Sequence, residues 1–544
     1  MNFRENESAT KLRGGYYTSP DVARFLCQWV LAVAPRRVLE PSCGDGAFLA
    51  ALAALRPASV EQVVACEIEE REVLAARRRR PAPRARVEVV HAEFLDWFLR
   101  DEGALPFDAA VGNPPFIRYQ YLDPAVQARA ETVFRQQGLR FTKHTNAWVP
   151  FVIASLARLR PGGRLGMVVP SELLHILHAQ PLRDFLARTC ARVVLIDPEN
   201  LWFDEALQGV LLLLAEKRGE EDPERCAVGI VGTKDRSILQ RPPEDVAAGA
   251  TYTDGRKLAG KWMSALLSTR EQALLEALSA HPGVARFADV ADVDVGIVTG
   301  ANHFFLVSEA TVERYGLRTW AHPMFGRSEH ARGVVFGRAD HAANSAEGRR
   351  CQFLWFEANR ASALPEAARA YIESGEQQRL HTRFKCRTRT PWFRVPSVWA
   401  SPVSMLKRAH HHPRLLLNRA RAFTTDTAYR ISPHSVSATA LVGGFVNSLT
   451  LLSAELEGRH YGGGVLELVP SEIERLPVVT PPAAHASAIL RELDARVRAG
   501  TDPIELLERQ DELVLGARGV SRADATDLRC AWNALRSRRQ RRER

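Results

Sequence analysis

The chain has 544 residues, 46% of them hydrophobic and 25% charged, with a formal net charge of +10. That length and balance describe a globular protein with room for two or three separate cores. The sequence has no run of about eighteen apolar residues and no apolar leader, so neither a membrane span nor secretion is expected and the expected compartment is the cytoplasm. Eight scattered cysteines without a CxxC pair exclude a disulfide framework and a zinc cluster.

In chain order, "RRVLEP" (36–41) reads as a strand and "GAFLAALAAL" (46–55) as a helix whose Phe48, Leu49, Leu52 and Leu55 share one face. "VVACEI" (63–68) is a second strand, followed by a helix that runs into Arg77 to Arg80 and stops at "PAP". "RVEVVHAEF" (86–94) and "FDAAVGNPPF" (107–116) are the third and fourth strands, and "NAWVPFVIASLARL" (146–159) is a helix. "PGGRLGMVVP" (161–170), "RVVLID" (192–197) and "GVLLLLAEK" (209–217) complete the strands of this half. Alternating strands and helices with near-continuous apolar strands predict a doubly wound α/β fold with a mostly parallel sheet. Such sheets take ligands at the carboxyl ends of their strands. After about Gly232 the rhythm changes to short strands among long polar connections. These predict a second domain of mixed character over 231–480, closed by helices and a basic tail over 481–544.

The strand ends carry the chemistry. Glu40 closes the first strand ahead of "PSCGDG", where Gly44 and Gly46 permit a tight turn and close approach of a ligand. This is not a dinucleotide fingerprint, because Leu49 stands where the third glycine belongs and a carboxylate precedes the loop. Glu67 closes the second strand, where a carboxylate can accept from both ribose hydroxyls, and Glu93 follows the third. Three acids feeding one crevice fit a nucleoside that carries an amino acid, namely S-adenosylmethionine. At the fourth strand end stands Asn113, then two prolines that enforce a rigid turn, then Phe116. The Asn113 amide oxygen and the Pro114 carbonyl could accept both hydrogens of an exocyclic amine while Phe116 stacks on its ring.

In order, "GGYYTSP" (14–20), "EPSCGDGAF" (40–48), "CEI" (66–68), "AEF" (92–94), "NPPF" (113–116) and "LWFDEALQGV" (201–210) resemble the motifs of gamma-class, TaqI-like adenine-N6 DNA methyltransferases. The resemblance implies a class I, Rossmann-like methyltransferase domain over 1–230 with a seven-stranded sheet, joined to a target-recognition domain of mixed α+β character. It places Thr18 and Glu40 at the methionine end of S-adenosylmethionine, Glu67 at the ribose and Glu93 at the cofactor's adenine amine. Ser42, Cys43, Gly44 and Pro115 complete that cofactor set. Asn113, Pro114 and Phe116 surround the target amine, and Phe203 faces the flipped base, with neighbouring Trp202 the alternative. The family more often has Asp where Glu93 stands and Tyr where Phe116 stands.

From Tyr371 to Arg430 there are twelve Lys/Arg against three Asp/Glu, interleaved with aromatic residues. That composition fits a polyanion, and with the resemblance it makes double-stranded DNA the partner. Arg387, Arg389, Trp392, Arg394, Arg419 and Arg421 are the candidate contacts. The expected role is site-specific modification in restriction–modification, by a monomer. Too few residues precede "GGYYTSP" for a nuclease domain, so the cognate endonuclease is expected to act separately. Rival readings are an RNA guanine or protein glutamine methyltransferase, which also use an "NPP" turn, and an inactive DNA-binding module. "GRKLAGK" (255–261) has P-loop spacing, but Trp262 replaces the hydroxyl that would hold magnesium. Glu172, His175 and His178 lack a further ligand set, so no metal is expected, and His410 to His412 read as part of the basic surface.

Overall fold

The structure is a computed structural model of the chain. It describes residues 18–79, 85–100, 105–198, 202, 209–258, 260–357, 364–461 and 463–540. The chain divides into one compact unit ending at Leu266 and a second running from Leu267 to Gln540.

In the first unit the apolar runs become β1 (Arg37–Glu40), β2 (Gln62–Glu67), β3 (Arg86–His91), β4 (Phe107–Gly112), β5 (Leu159–Pro170), β6 (Cys190–Pro198), β7 (Val210–Lys217), β8 (Ala227–Thr233) and β9 (Tyr252–Asp254). They form one sheet in the order β3-β2-β1-β4-β5-β7-β6-β8-β9. β1 to β5 pair in parallel, whereas β7 lies antiparallel between β5 and β6. The first seven strands reproduce the mostly parallel class I sheet. β8 and β9 extend it by two, and for that reason the unit reaches Leu266 rather than ending near 230.

Helices α1 (Pro20–Leu31), α2 (Ala47–Leu55), α3 (Glu70–Arg78), α4 (Phe94–Arg100), α5 (Pro124–Gln136) and α6 (Trp148–Ala157) flank this half of the sheet. α1 buries Val22, Phe25, Leu26, Trp29 and Val30, the spacing of one helix face, and the Trp29 indole donates to the Leu165 carbonyl at 3.1 Å. Gly46 heads α2 with φ of +88°, and a Cβ there would lie 3.2 Å from the Ala76 Cα of α3. Both the left-handed turn and the helix approach therefore require glycine.

The second unit centres on β10 (Ala291–Val295), β11 (Val335–Phe336), β12 (Val403–Leu406), β13 (Leu415–Asn418) and β14 (Ala428–Pro433), in the order β10-β14-β12-β13-β11. Beside it lies an aromatic core in which the Phe304 ring stacks on Tyr371 at 4.6 Å and meets Trp392 at 5.1 Å. Gly375 belongs to this core, since a Cβ there would sit 2.7 Å from the Phe304 ring and 2.8 Å from Trp392.

The closing helices are part of this unit rather than a separate appendage. Ser448–Glu457 packs on Arg522–Arg539, where Arg539 and Glu455, both fully buried, form an ion pair at 2.7 Å. The basic segment from Arg536 to Arg539 is thus the last turn of a docked helix. Arg539 also donates to the His410 and His411 carbonyls at 2.8 and 3.2 Å. His412 lies against Trp532, with ring centroids 6.5 Å apart, and burial pushes its pKa down to about 3. It is a neutral packing group, not part of a basic surface. Among the described residues no single helix is long and apolar enough to cross a membrane.

Candidate active site

Parallel pairing in register puts the carboxyl ends of β1 to β4 at one edge of the sheet: Glu40 pairs with Ala65, and Glu67 with His91. The acids that follow the strands therefore converge, as their positions in the sequence predict.

They do not play equal parts. Glu40 is fully buried, and neither carboxylate oxygen has a hydrogen-bond partner among the described residues. Burial, then the nearby Glu67 and Asp45, push its pKa well above the ordinary carboxylate range. An unmatched buried acid is costly unless a cation or donor arrives. Glu67 is already engaged: Oε2 accepts from the Gly44 N–H at 2.8 Å, and Oε1 from the N–H groups of Ile68 and Glu69 at 2.8 and 2.9 Å. Glu93 caps α4 by accepting from Leu95 and Asp96 at 3.0 and 2.9 Å. Arg129 of α5 stands 3.8 Å from Glu93 and 3.3 Å from Asp96.

In the glycine loop, Gly44 takes φ of +51°. The Cys43 thiol is buried in the core, its N–H donates to Cys66 at 2.9 Å and its carbonyl accepts from Gly46 at 2.8 Å. Cys43 therefore shapes the loop and has no free group for a ligand. The Ser42 hydroxyl donates to the Asn113 carbonyl at 3.0 Å, which ties the loop after β1 to the turn after β4. The Asn113 Nδ2 donates to Thr18 Oγ1 at 3.2 Å, so the segment before α1 reaches the same turn. Pro114 is buried, Pro115 is half-buried, and half-buried Phe116 packs against the core of this unit. Thr18, Ser42 and Asn113, far apart in sequence, thus form one assembly.

Two residues hold the continuation of the turn, Asn146, which the sequence does not single out, and Glu172, which it offers only as a metal ligand. Asn146, buried, accepts from the Tyr119 N–H through Oδ1 at 3.1 Å and donates from Nδ2 to Glu172 at 3.0 Å. The Ala147 N–H donates to the Ile117 carbonyl at 3.0 Å beside it. Burial raises the Glu172 pKa, while Arg118 and the Asn146 bond pull it back. Glu172 follows the end of β5, so the rule that singles out Glu40, Glu67 and Glu93 would have found it. Its helix, Glu172–His175, is one turn long, and among the described residues no group of three or more His, Cys, Asp or Glu could hold a metal. Phe203 lies outside the described residues. Trp202 is buried in the core, where it packs under the Arg236 guanidinium.

In the second unit Arg387, Arg394, Arg419 and Arg421 are exposed. Arg389 instead donates to the Thr299 and Val298 carbonyls at 2.8 and 2.6 Å, which holds the Val298–Thr299 segment against its own. Trp392 corrects the reading from composition: it is 8% exposed, packs on Phe304 and donates to Glu376 at 2.9 Å. It supports the basic segment from below and has no face to offer a partner.

Comparison with known proteins agrees with this architecture. The family model described as "Eco57I restriction-modification methylase" matches residues 64–202, and the model of the "Type II methyltransferase M.Eco57I, C-terminal domain" matches 259–515. The Type II methyltransferase M.AccI of Acinetobacter calcoaceticus is 21% identical over 477 residues, covering 85% of this chain and 84% of that protein. The Type II methyltransferase M.XamI of Xanthomonas campestris pv. amaranthicola is 22% identical over 498 residues, covering 87% and 86%. Among solved structures, the Type IIL restriction-modification enzyme MmeI in complex with DNA has a TM-score of 0.58 at 12% identity and covers 95% of this chain and 75% of its own, a likeness of fold.

The sheet order, with β7 antiparallel between β5 and β6, is that of a class I S-adenosylmethionine-dependent methyltransferase fold, and the acids stand at its carboxyl edge. One family match lies in the first unit and the other almost wholly in the second, and the relatives M.AccI and M.XamI align along most of the chain. These matches make the chain a type II DNA methyltransferase, similar to the Eco57I methylases, and S-adenosylmethionine is its cofactor. The residues present fit that cofactor: unmatched, buried Glu40 suits a ligand ammonium, and the left-handed glycine loop admits close approach.

Proposed function

We propose that the enzyme methylates the N6 amine of an adenine extruded from duplex DNA. The observation that carries this reading is the double anchoring of Asn113 by Thr18 at its amide nitrogen and by Ser42 at its carbonyl. The bond to Thr18 holds the Asn113 side chain in place, and in this reading its amide oxygen accepts from the target amine. The next acceptor is the carbonyl of Pro114, which proline geometry holds still. Two fixed acceptors draw the amine's lone pair out of the ring and towards the incoming methyl. Phe116 supplies a stacking face, which positions the base without basic catalysis. The cofactor supplies the electrophilic methyl group. After transfer the displaced proton passes to solvent.

Glu40 would hold the amino-acid end of the cofactor, and Glu67 and Glu93, already fixed by main-chain bonds, would meet the ribose and the adenine amine. Exposed Arg387, Arg394, Arg419 and Arg421 would neutralise phosphates or reach base edges. Extrusion of the base into the crevice is the general solution for chemistry on a stacked base. The enzyme would act in the cytoplasm as a monomer, modifying sites that a separate endonuclease cuts.

The test is single-molecule sequencing of DNA from a methylation-free host that expresses the protein. N6-methyladenine at one recurrent motif is expected. DNA without it, from cells in which the protein is folded and binds cofactor, would refute the reading.

A further inference from the structure

Directly after the candidate base site, the chain runs through Arg118 to Tyr121 on the surface of the catalytic unit. This segment is exposed yet fixed. The Tyr119 N–H is bonded to buried Asn146, the Tyr119 carbonyl accepts from Gln127 at 3.2 Å, and the Tyr119 ring meets His144 edge-on at 4.8 Å. Tyr121 is 53% exposed, among the most open large apolar side chains described, and the exposed Arg118 and Lys143 directly precede Tyr119 and His144 in the chain. Asp123 is occupied in capping α5, and Arg118 also acts on buried Glu172, whose pKa it pulls down.

We infer that Arg118, Tyr119, Tyr121, Lys143 and His144 form a second DNA contact, on the catalytic unit, that holds the strand carrying the extruded base. The inference rests on the proposed function and deepens it. A base seated against Asn113 and Phe116 brings its own backbone past the residues that follow Phe116 in the chain. Cations there meet phosphates, and an exposed ring gives a neighbouring base a face on which to stack once its partner has left. A rigid loop suits this role, because a mobile one would have to be ordered at each binding event.

The test uses the full chain, unmethylated sheared bacteriophage DNA as substrate, and calorimetric binding of S-adenosylhomocysteine as a control. Tyr121→Ala should raise KM for DNA about tenfold, with cofactor affinity unchanged, and Tyr121→Phe should restore most of it because the ring remains. Lys143→Gln should reduce the salt dependence of DNA binding by about one phosphate contact. An unchanged KM in Tyr121→Ala, an equal loss in Tyr121→Phe, or an unchanged salt slope in Lys143→Gln overturns the inference. Failure of the proposed function looks different, because the unmodified enzyme would then transfer no methyl group to DNA.

Discussion

Replacing Glu40 by glutamine isolates the one acid of the crevice that has no protein partner among the described residues. Its side chain is fully buried, and burial, then Glu67 and Asp45, raise its pKa well above the ordinary range. The empty enzyme therefore keeps Glu40 protonated through a pH interval in which a free carboxyl would ionise. A ligand ammonium beside it reverses that preference, so binding releases a proton, and affinity rises with pH by up to about tenfold per unit within the interval. Glutamine cannot ionise. Loss of the charge-assisted bond costs about 2 kcal/mol, roughly thirtyfold in Kd, and the pH slope flattens. For stability the sign runs the other way. The empty native state holds a proton that the unfolded chain has lost, so stability falls as pH rises from the ordinary glutamate pKa towards the raised folded value. The slope is at most about 1.4 kcal/mol per pH unit. Glu40→Gln lacks this slope, so the empty variant should be at least as stable as the wild type at neutral pH. Titration calorimetry with S-adenosylhomocysteine, in two buffers of different ionisation enthalpy at several pH values, reads both the affinity and the proton release. Wild-type binding without proton release, or a glutamine variant that binds as the wild type does, refutes the argument.

Asn113→Ala should lower kcat by about 10²- to 10³-fold and leave S-adenosylhomocysteine affinity within a few-fold, because one fixed acceptor is lost while Glu40, Glu67 and Glu93 are untouched. Arg419→Gln and Arg421→Gln should each reduce the salt slope of DNA binding by about one, whereas Trp392→Ala should cost about 3–5 kcal/mol in denaturant unfolding. Arg539→Met should cost about 3–5 kcal/mol by leaving Glu455 charged and buried, and adding Glu455→Gln should recover most of that loss.

The sheet of the catalytic unit was legible because a buried parallel strand is a short apolar run, and β1 to β7 each stand out as one. α1 carries its apolar spacing in Val22, Phe25, Leu26, Trp29 and Val30, but it follows directly on the Thr18–Pro20 motif, whose chemistry masks the helix face behind it. β9 is three residues long and polar, and the apolar run of β8 is interrupted by Gly229 and Gly232; both are defined by pairing, β8 with β6 and the two with each other, which the sequence does not display. In the second unit the same limit appears as an error about one ring. Arginines and tryptophans alternate from Arg387 to Trp399, and composition cannot tell a ring that faces solvent from one that packs on Phe304. The glycine at position 375, which only a close aromatic neighbour explains, was the available sign.

At the crevice, strand-end position locates the acids but not their protein partners, and the partners decide what each acid can do. Glu67 and Glu93 are bound to N–H groups of their own loops, so their lone pairs are partly spent on geometry and each can add only a directional bond to a ligand. Glu40 spends none on the described residues, and its charge is the one that a bound cation would change. The same logic orders the turn at Asn113, where Thr18 and Ser42 fix its amide nitrogen and its main-chain carbonyl, atoms that never touch the methyl group. Thr18→Val should therefore impair catalysis by loosening the amide, and Asn113→Ala should abolish any further effect of that change. If the two losses add instead, Thr18 acts on the cofactor and not through Asn113.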